Sequence, residues 1–123
     1  MLWQEPGAAD LRARMFQATV REMSACSYVE ISMVLMGRGK QAPDRAVDLL
    51  RRFIDEVDIV LTPFDAEQAR DAAAAALRFG KGRHPAKLNL GDCFSYALSK
   101  ARKAPLLYVG DDFSRTDIVS ALA

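Results

Sequence analysis

With 123 residues the chain has room for one hydrophobic core and no second domain, so a single domain spanning residues 1–123 is expected. Half of the residues are apolar (50%), as in soluble globular chains; no apolar run approaches the ~20 residues of a membrane helix, and no signal-peptide pattern opens the chain, which points to the cytoplasm. Seventeen basic and sixteen acidic residues leave a formal charge of +1, which excludes a broad grip on duplex DNA and confines any nucleic-acid contact to a local patch.

Glu5-Pro6-Gly7 leads into an amphipathic segment from about Ala8 to Ala18 that reads as a helix, with Leu11, Met15 and the flanking Phe16 facing the core. Glu22 to Ala25 reads as a short strand or its end. Ser24 or Ser27 can cap the next helix, which carries Val29, Met33, Val34 and Met36 to a stop at Gly37 and holds Glu30 in its early turns. Gly37-Arg38-Gly39-Lys40 breaks the chain. Pro43 suits the first turn of a helix whose apolar positions Val47, Leu50, Phe53 and Ile54 recur at helical spacing. The β-branched run Asp58 to Thr62, closed by Pro63, reads as a strand, and Asp65 caps an alanine-rich helix from Ala66 to Phe79. After the loop Gly80 to Pro85, a further helix starts near Asp92 and a strand runs from Leu106 to Val109. Strands separated by helices of this length need crossover connections. The expected fold is therefore α/β, a three-layer domain with a mostly parallel sheet flanked by helices.

In such a fold a helix preceding a parallel strand begins at the edge where that strand ends. A dozen or so residues from Asp92 rise roughly 18 Å as a helix, and the strand carries the chain back about 13 Å. Chain direction thus brings Asp92 toward Asp112, and Glu30 joins them if the strand near Met23 feeds its helix at the same edge. Each acid also has a plain structural explanation: Asp92 complements a helix dipole, Glu30 sits on a helix surface, and Asp111 and Asp112 build a turn. Convergence from three segments is what favours function. Crowded carboxylates need a cation or a shared proton, and oxygen ligands without Cys or His suit Mg²⁺ or Mn²⁺ beside a phosphate. That set points to metal-assisted phosphodiester hydrolysis. Cys26 and Cys93, far apart and without a nearby His, read as small buried apolar residues in a reducing compartment.

Four blocks of this chain resemble PIN domains of the VapC toxin type: Ser24 to Val34, Phe79-Gly80-Lys81-Gly82-Arg83-His84, Gly91-Asp92-Cys93-Phe94-Ser95-Tyr96-Ala97, and Leu106 to Ile118. The resemblance spans almost the whole chain. It implies a Mg²⁺- or Mn²⁺-dependent endoribonuclease acting on RNA, the toxin of a type II toxin–antitoxin system, held inactive by a VapB-type antitoxin and assembled as a homodimer. By position, Glu30, Asp92 and Asp112 match the family's catalytic, metal-binding acids, while Asp111 occupies a more permissive place. Asp117 is an outer partner that could orient Thr116, a metal-held water or a neighbouring carboxylate. The implied reaction is in-line hydroxide attack on a phosphodiester, with the metal holding the phosphate and offsetting charge in the transition state.

PIN domains of this kind usually begin with an apolar strand ending in Asp followed by Ser or Thr, whereas Leu2 to Gly7 already reads as the first helix under way. The resemblance therefore implies an N-terminally truncated domain whose first strand and first acid are missing from this chain. A start codon further upstream explains this best, since the other acids remain in place; a shortened relative is the alternative.

Arg78, Lys81, Arg83, His84 and Lys87 form a basic loop that reads equally as an RNA phosphate contact or as an ordinary solvated loop, with His84 a weaker candidate general base. Trp3, Leu11, Met15, Phe16, Met33 and Met36 read mostly as core, with some available to line an apolar groove for a partner helix. The competing class is a catalytically inactive PIN-like binding module that captures a VapB-type antitoxin.

Overall fold

A computed structural model describes residues 8–37, 42–108 and 113–122. Contacts divide the chain into two compact units, Met1–Thr62 and Pro63–Ala123.

In the first unit, helix α1 (Ala8–Gln17) is followed by strand β1 (Arg21–Ser24), helices α2 (Ala25–Gly37) and α3 (Pro43–Glu56), and strand β2 (Ile59–Thr62). The two strands pair in parallel, Arg21 opposite Ile59 and Ser24 opposite Thr62, an arrangement that the two-helix crossover makes possible. Pro43 occupies the start of α3, where its missing N–H would have had no partner, and Ala42 before it supplies no side-chain cap. Ala46, Leu50 and Ile54 form the buried stripe of α3 at four-residue spacing, with Leu50 only 1% exposed. Val47 and Phe53, expected in that stripe, are half-buried. Of the two candidate caps for α2, Ser24 serves: its buried Oγ accepts the Cys26 N–H at 3.3 Å.

Arg21 ties three elements of this unit together. Its Nε donates to Met15 O at 2.6 Å in the last turn of α1, and its Nη1 donates to Val57 O at 2.8 Å, just past α3. A guanidinium is well suited to this, because the last carbonyls of a helix lack intrahelical donors and carry partial negative charge.

Two expectations about the apolar residues are corrected. Phe16 is 62% exposed and lies beneath the Arg21 guanidinium, 5.6 Å from the ring centre, instead of in the core with Leu11. On α2 the apolar residues also face outward: Val29 and Met33 are 57% and 66% exposed, with Met36 partly so. Spacings of four and three residues place Val29, Met33 and Met36 in one stripe.

The second unit is built on helices α4 (Ala66–Phe79) and α5 (Leu90–Arg102), followed by a short 3-10 turn, Phe113–Arg115. Asp65 caps α4, its Oδ1 accepting the Gln68 N–H at 2.9 Å. Ala72, Ala75 and Phe79 of α4 pack against Cys93, Tyr96 and Ala97 of α5, with Leu88, Phe113 and Ile118 closing the same core. The small alanines allow the helices a close approach. The strand expected from Leu106 is reduced in the described residues to one parallel bridge: Leu106 N–H donates to Val119 O and Ala121 N–H donates to Leu106 O, both at 2.9 Å. Val109 lies outside the described residues. Among those described, the continuous sheet consists of β1 and β2, and no helix is long and apolar enough to cross a membrane.

Candidate metal centre

Asp92 stands three residues past Asn89, and the two close a reciprocal capping box at the start of α5. Asn89 Oδ1 accepts the Asp92 N–H at 2.9 Å, while Asp92 Oδ2 accepts the Asn89 N–H at 3.0 Å. The helix thus begins at Leu90, two residues before the position expected, because Asn89 is the cap. The box and the helix dipole both favour an ionised carboxylate here. The cap occupies one acceptor position of that carboxylate, and carboxylate oxygen is the donor type that an oxygen-seeking cation takes. Burial raises the pKa of the adjacent Cys93 thiol, and the Asp92 charge raises it further, so Cys93 stays a protonated core residue.

Glu30 lies in the second turn of α2, half-buried. Three residues earlier, and therefore on the same helical face, the buried Ser27 Oγ makes no hydrogen bond among the described residues. A buried hydroxyl without a partner is costly, and an ordered water would satisfy it. Asp111 and Asp112 lie outside the described residues. Among the described residues no group of three or more His, Cys, Asp or Glu side chains comes together as a ligand set.

Asp117 is held by other partners than those expected for it. Its carboxylate accepts from the Tyr96 hydroxyl at 2.7 Å and from Lys100 Nζ at 2.5 Å, with Arg78 at 3.8 Å. Asp92, Tyr96 and Lys100 are spaced by four residues along α5, so Asp117 docks about 6–12 Å along the helix axis from Asp92. Burial alone would push the Asp117 pKa up, but the hydrogen bonds from Lys100 and Tyr96 outweigh it and hold the group below its ordinary value. Burial and the same hydrogen bond raise the Tyr96 pKa, so its hydroxyl remains a donor. Thr116 takes part in the neighbouring turn, its Oγ1 donating to Phe113 O at 2.7 Å and accepting the Ile118 N–H at 3.1 Å.

The basic loop is a tightly closed structure. Leu88 N–H donates to Phe79 O at 2.9 Å, Lys81 N–H to Leu88 O at 3.1 Å, and the Arg83 and His84 amides both reach Gly80 O. A Cβ on Gly80 would lie 2.2 Å from Ala76 O, so the close approach that starts the loop requires glycine. Lys81 and Arg83 project outward. His84 Nδ1 accepts the Ala86 N–H at 3.0 Å and the ring packs edge-on against Phe79, which braces the loop.

Sequence reasoning passed over Asn89, Tyr96, Lys100 and Arg21. Asn89-x-x-Asp92 ahead of an apolar run is a legible capping signal; the Arg21 partners are carbonyls distant in the chain and leave no local signature.

The match to known proteins is broad. The PIN domain family model matches residues 3–119 and so runs across both units. Ribonuclease VapC of Mycolicibacterium smegmatis is 41% identical over 120 residues, covering 98% of this chain and 91% of the relative. Ribonuclease VapC42 of Mycobacterium tuberculosis is 43% identical over 115 residues, 93% of this chain and 86% of its own length. Ribonuclease VapC28 of the same organism is 43% identical over 123 residues, 99% and 90% of the two chains. The chain belongs to the VapC-type PIN-domain family.

Proposed function

We propose that this chain, read as one PIN domain over residues 1–123, is a Mg²⁺- or Mn²⁺-dependent endoribonuclease, the toxin of a type II toxin–antitoxin pair acting on cytoplasmic RNA. The observation that carries the reading is the Asp92 carboxylate fixed by a reciprocal capping box at the head of α5, in a chain 41–43% identical to proteins named as VapC ribonucleases. Asp92, Glu30 and Asp112 are the oxygen ligands that would hold the cation. A divalent ion bound there supplies Lewis acidity toward water and phosphate and offsets transition-state charge. The protein's own part is to keep Asp92 ionised and oriented through Asn89, and to offer Lys81 and Arg83 as phosphate contacts. Asp117, engaged with Tyr96 and Lys100, positions the C-terminal segment instead of reaching the reacting groups.

The outward apolar stripe of Val29, Met33 and Met36 supports a second component of this reading, a VapB-type antitoxin helix laid against α2. A homodimer accords with the family. The same stripe would serve an inactive module that only captures antitoxin, and RNA cleavage separates the two. Incubation of the purified chain with single-stranded RNA and Mg²⁺ is expected to give fragments that vanish with chelator and in Asp92→Asn. Absence of metal-dependent fragments, with antitoxin capture retained, would establish the binding module instead.

A further inference from the structure

Between α4 and the head of α5 lies an open groove of about 470 Å³. Exposed Ala73 and Ala76 of α4 form one side, and Asn89 and Leu90 form the other, with Leu90 72% exposed. Phe64 and Phe94 meet edge to face at one wall, their ring centres 5.1 Å apart. We propose that this groove holds a nucleobase of a single-stranded RNA whose backbone lies at Asp92, an inference that rests on the ribonuclease reading above.

Four features favour that occupant. The groove opens at the head of α5, where the lining residues Asn89 and Leu90 stand within three residues of Asp92. Its volume is that of a small-molecule site, and its walls are apolar and aromatic, the surface on which unstacked bases settle. Among the described residues no charged side chain lines it, while exposed Lys87 immediately precedes the lining residue Leu88, so a cation for a phosphate backbone stands next in the chain to a neutral slot for a base. Asn89 Oδ1 is committed to the Asp92 N–H, which leaves Nδ2 as the donor it can offer to an acceptor on the base edge.

Fluorescence anisotropy decides the matter, with a short labelled single-stranded RNA and the same strand made abasic, both in chelator so that no cleavage intervenes. Ala73→Leu and Ala76→Leu each fill the groove from an exposed position, and circular dichroism verifies that each variant is folded. The wild type is expected to bind the intact strand about tenfold or more tighter than the abasic strand. Each leucine variant is expected to lower the intact strand to the abasic level without altering the abasic affinity. Equal affinity of the wild type for both strands overturns the proposal, as does undiminished binding by both variants. A change in sedimentation of the variants at unchanged RNA affinity also overturns it and assigns the groove to a contact between copies. The ribonuclease reading itself stands or falls separately, on metal-dependent cleavage and its loss in Asp92→Asn.

Discussion

The Tyr96 hydroxyl donates a 2.7 Å hydrogen bond to Asp117 Oδ1 and fastens the segment after the Phe113–Arg115 turn to the middle of α5. Both groups are partly sheltered and the acceptor is charged, so the bond is worth more than an exposed ion pair. Tyr96→Phe keeps the ring against Phe79 and removes only the hydroxyl; it is expected to lower unfolding stability by about 1–2 kcal/mol in urea titration.

The same carboxylate sets an acid limit. Because the folded state holds the Asp117 pKa below the ordinary 3.8, its stabilisation is complete above that value. It is lost as pH falls through the lower folded value. The melting temperature of the wild type is therefore expected to fall between about pH 5 and pH 2 more steeply than that of Asp117→Asn. Parallel acid profiles for the two proteins would contradict this role.

Arg21 carries a third prediction, in the first unit. Arg21→Met preserves much of the apolar stem but removes the guanidinium donors to Met15 O and Val57 O. A loss of about 2–3 kcal/mol is expected in chemical denaturation, well beyond the change for an exposed arginine such as Arg12.

On α2, Met33→Glu places charge in the exposed apolar stripe and should leave the melting temperature within about 2 °C of wild type. Binding of a VapB-type antitoxin, measured by calorimetry, is expected to weaken at least about tenfold. Unchanged binding would remove this face from the partner site.

Lys103 ends α5 in the left-handed region, φ 50°, where its N–H donates to Lys100 O and Ser99 O. Lys103→Gly relieves that conformation and is expected to raise stability by about 0.5 kcal/mol, or about 2 °C in a thermal melt.

Local chemistry made the helices legible. Asp65 and the alanine run gave α4 its observed ends, and Pro43 marked the start of α3, because caps and helix propensity act within a few residues. The helix α5 starts two residues before Asp92 because Asn89 is its cap and Asp92 the reciprocal acid of the capping box. Phe16 and the stripe on α2 admit both readings from sequence, core or partner groove, since an apolar face at helical spacing looks alike whether it meets a core or a partner. The strand expected from Leu106 depended on long-range pairing, which no local run of apolar residues specifies. Of the candidate site, Asp92 was legible as a first-turn acid, whereas the partners of Asp117 are gathered from α4 and α5 by tertiary packing.

The claim on which the account turns is that Asp92 contributes an oxygen ligand to a divalent cation. Titration of Mn²⁺ into the purified chain, read by electron paramagnetic resonance of the free ion, tests this without reference to RNA. The account predicts saturable binding that weakens about tenfold or more in Asp92→Asn, with the α5 helix retained by circular dichroism. Equal Mn²⁺ affinity in the wild type and Asp92→Asn would contradict it.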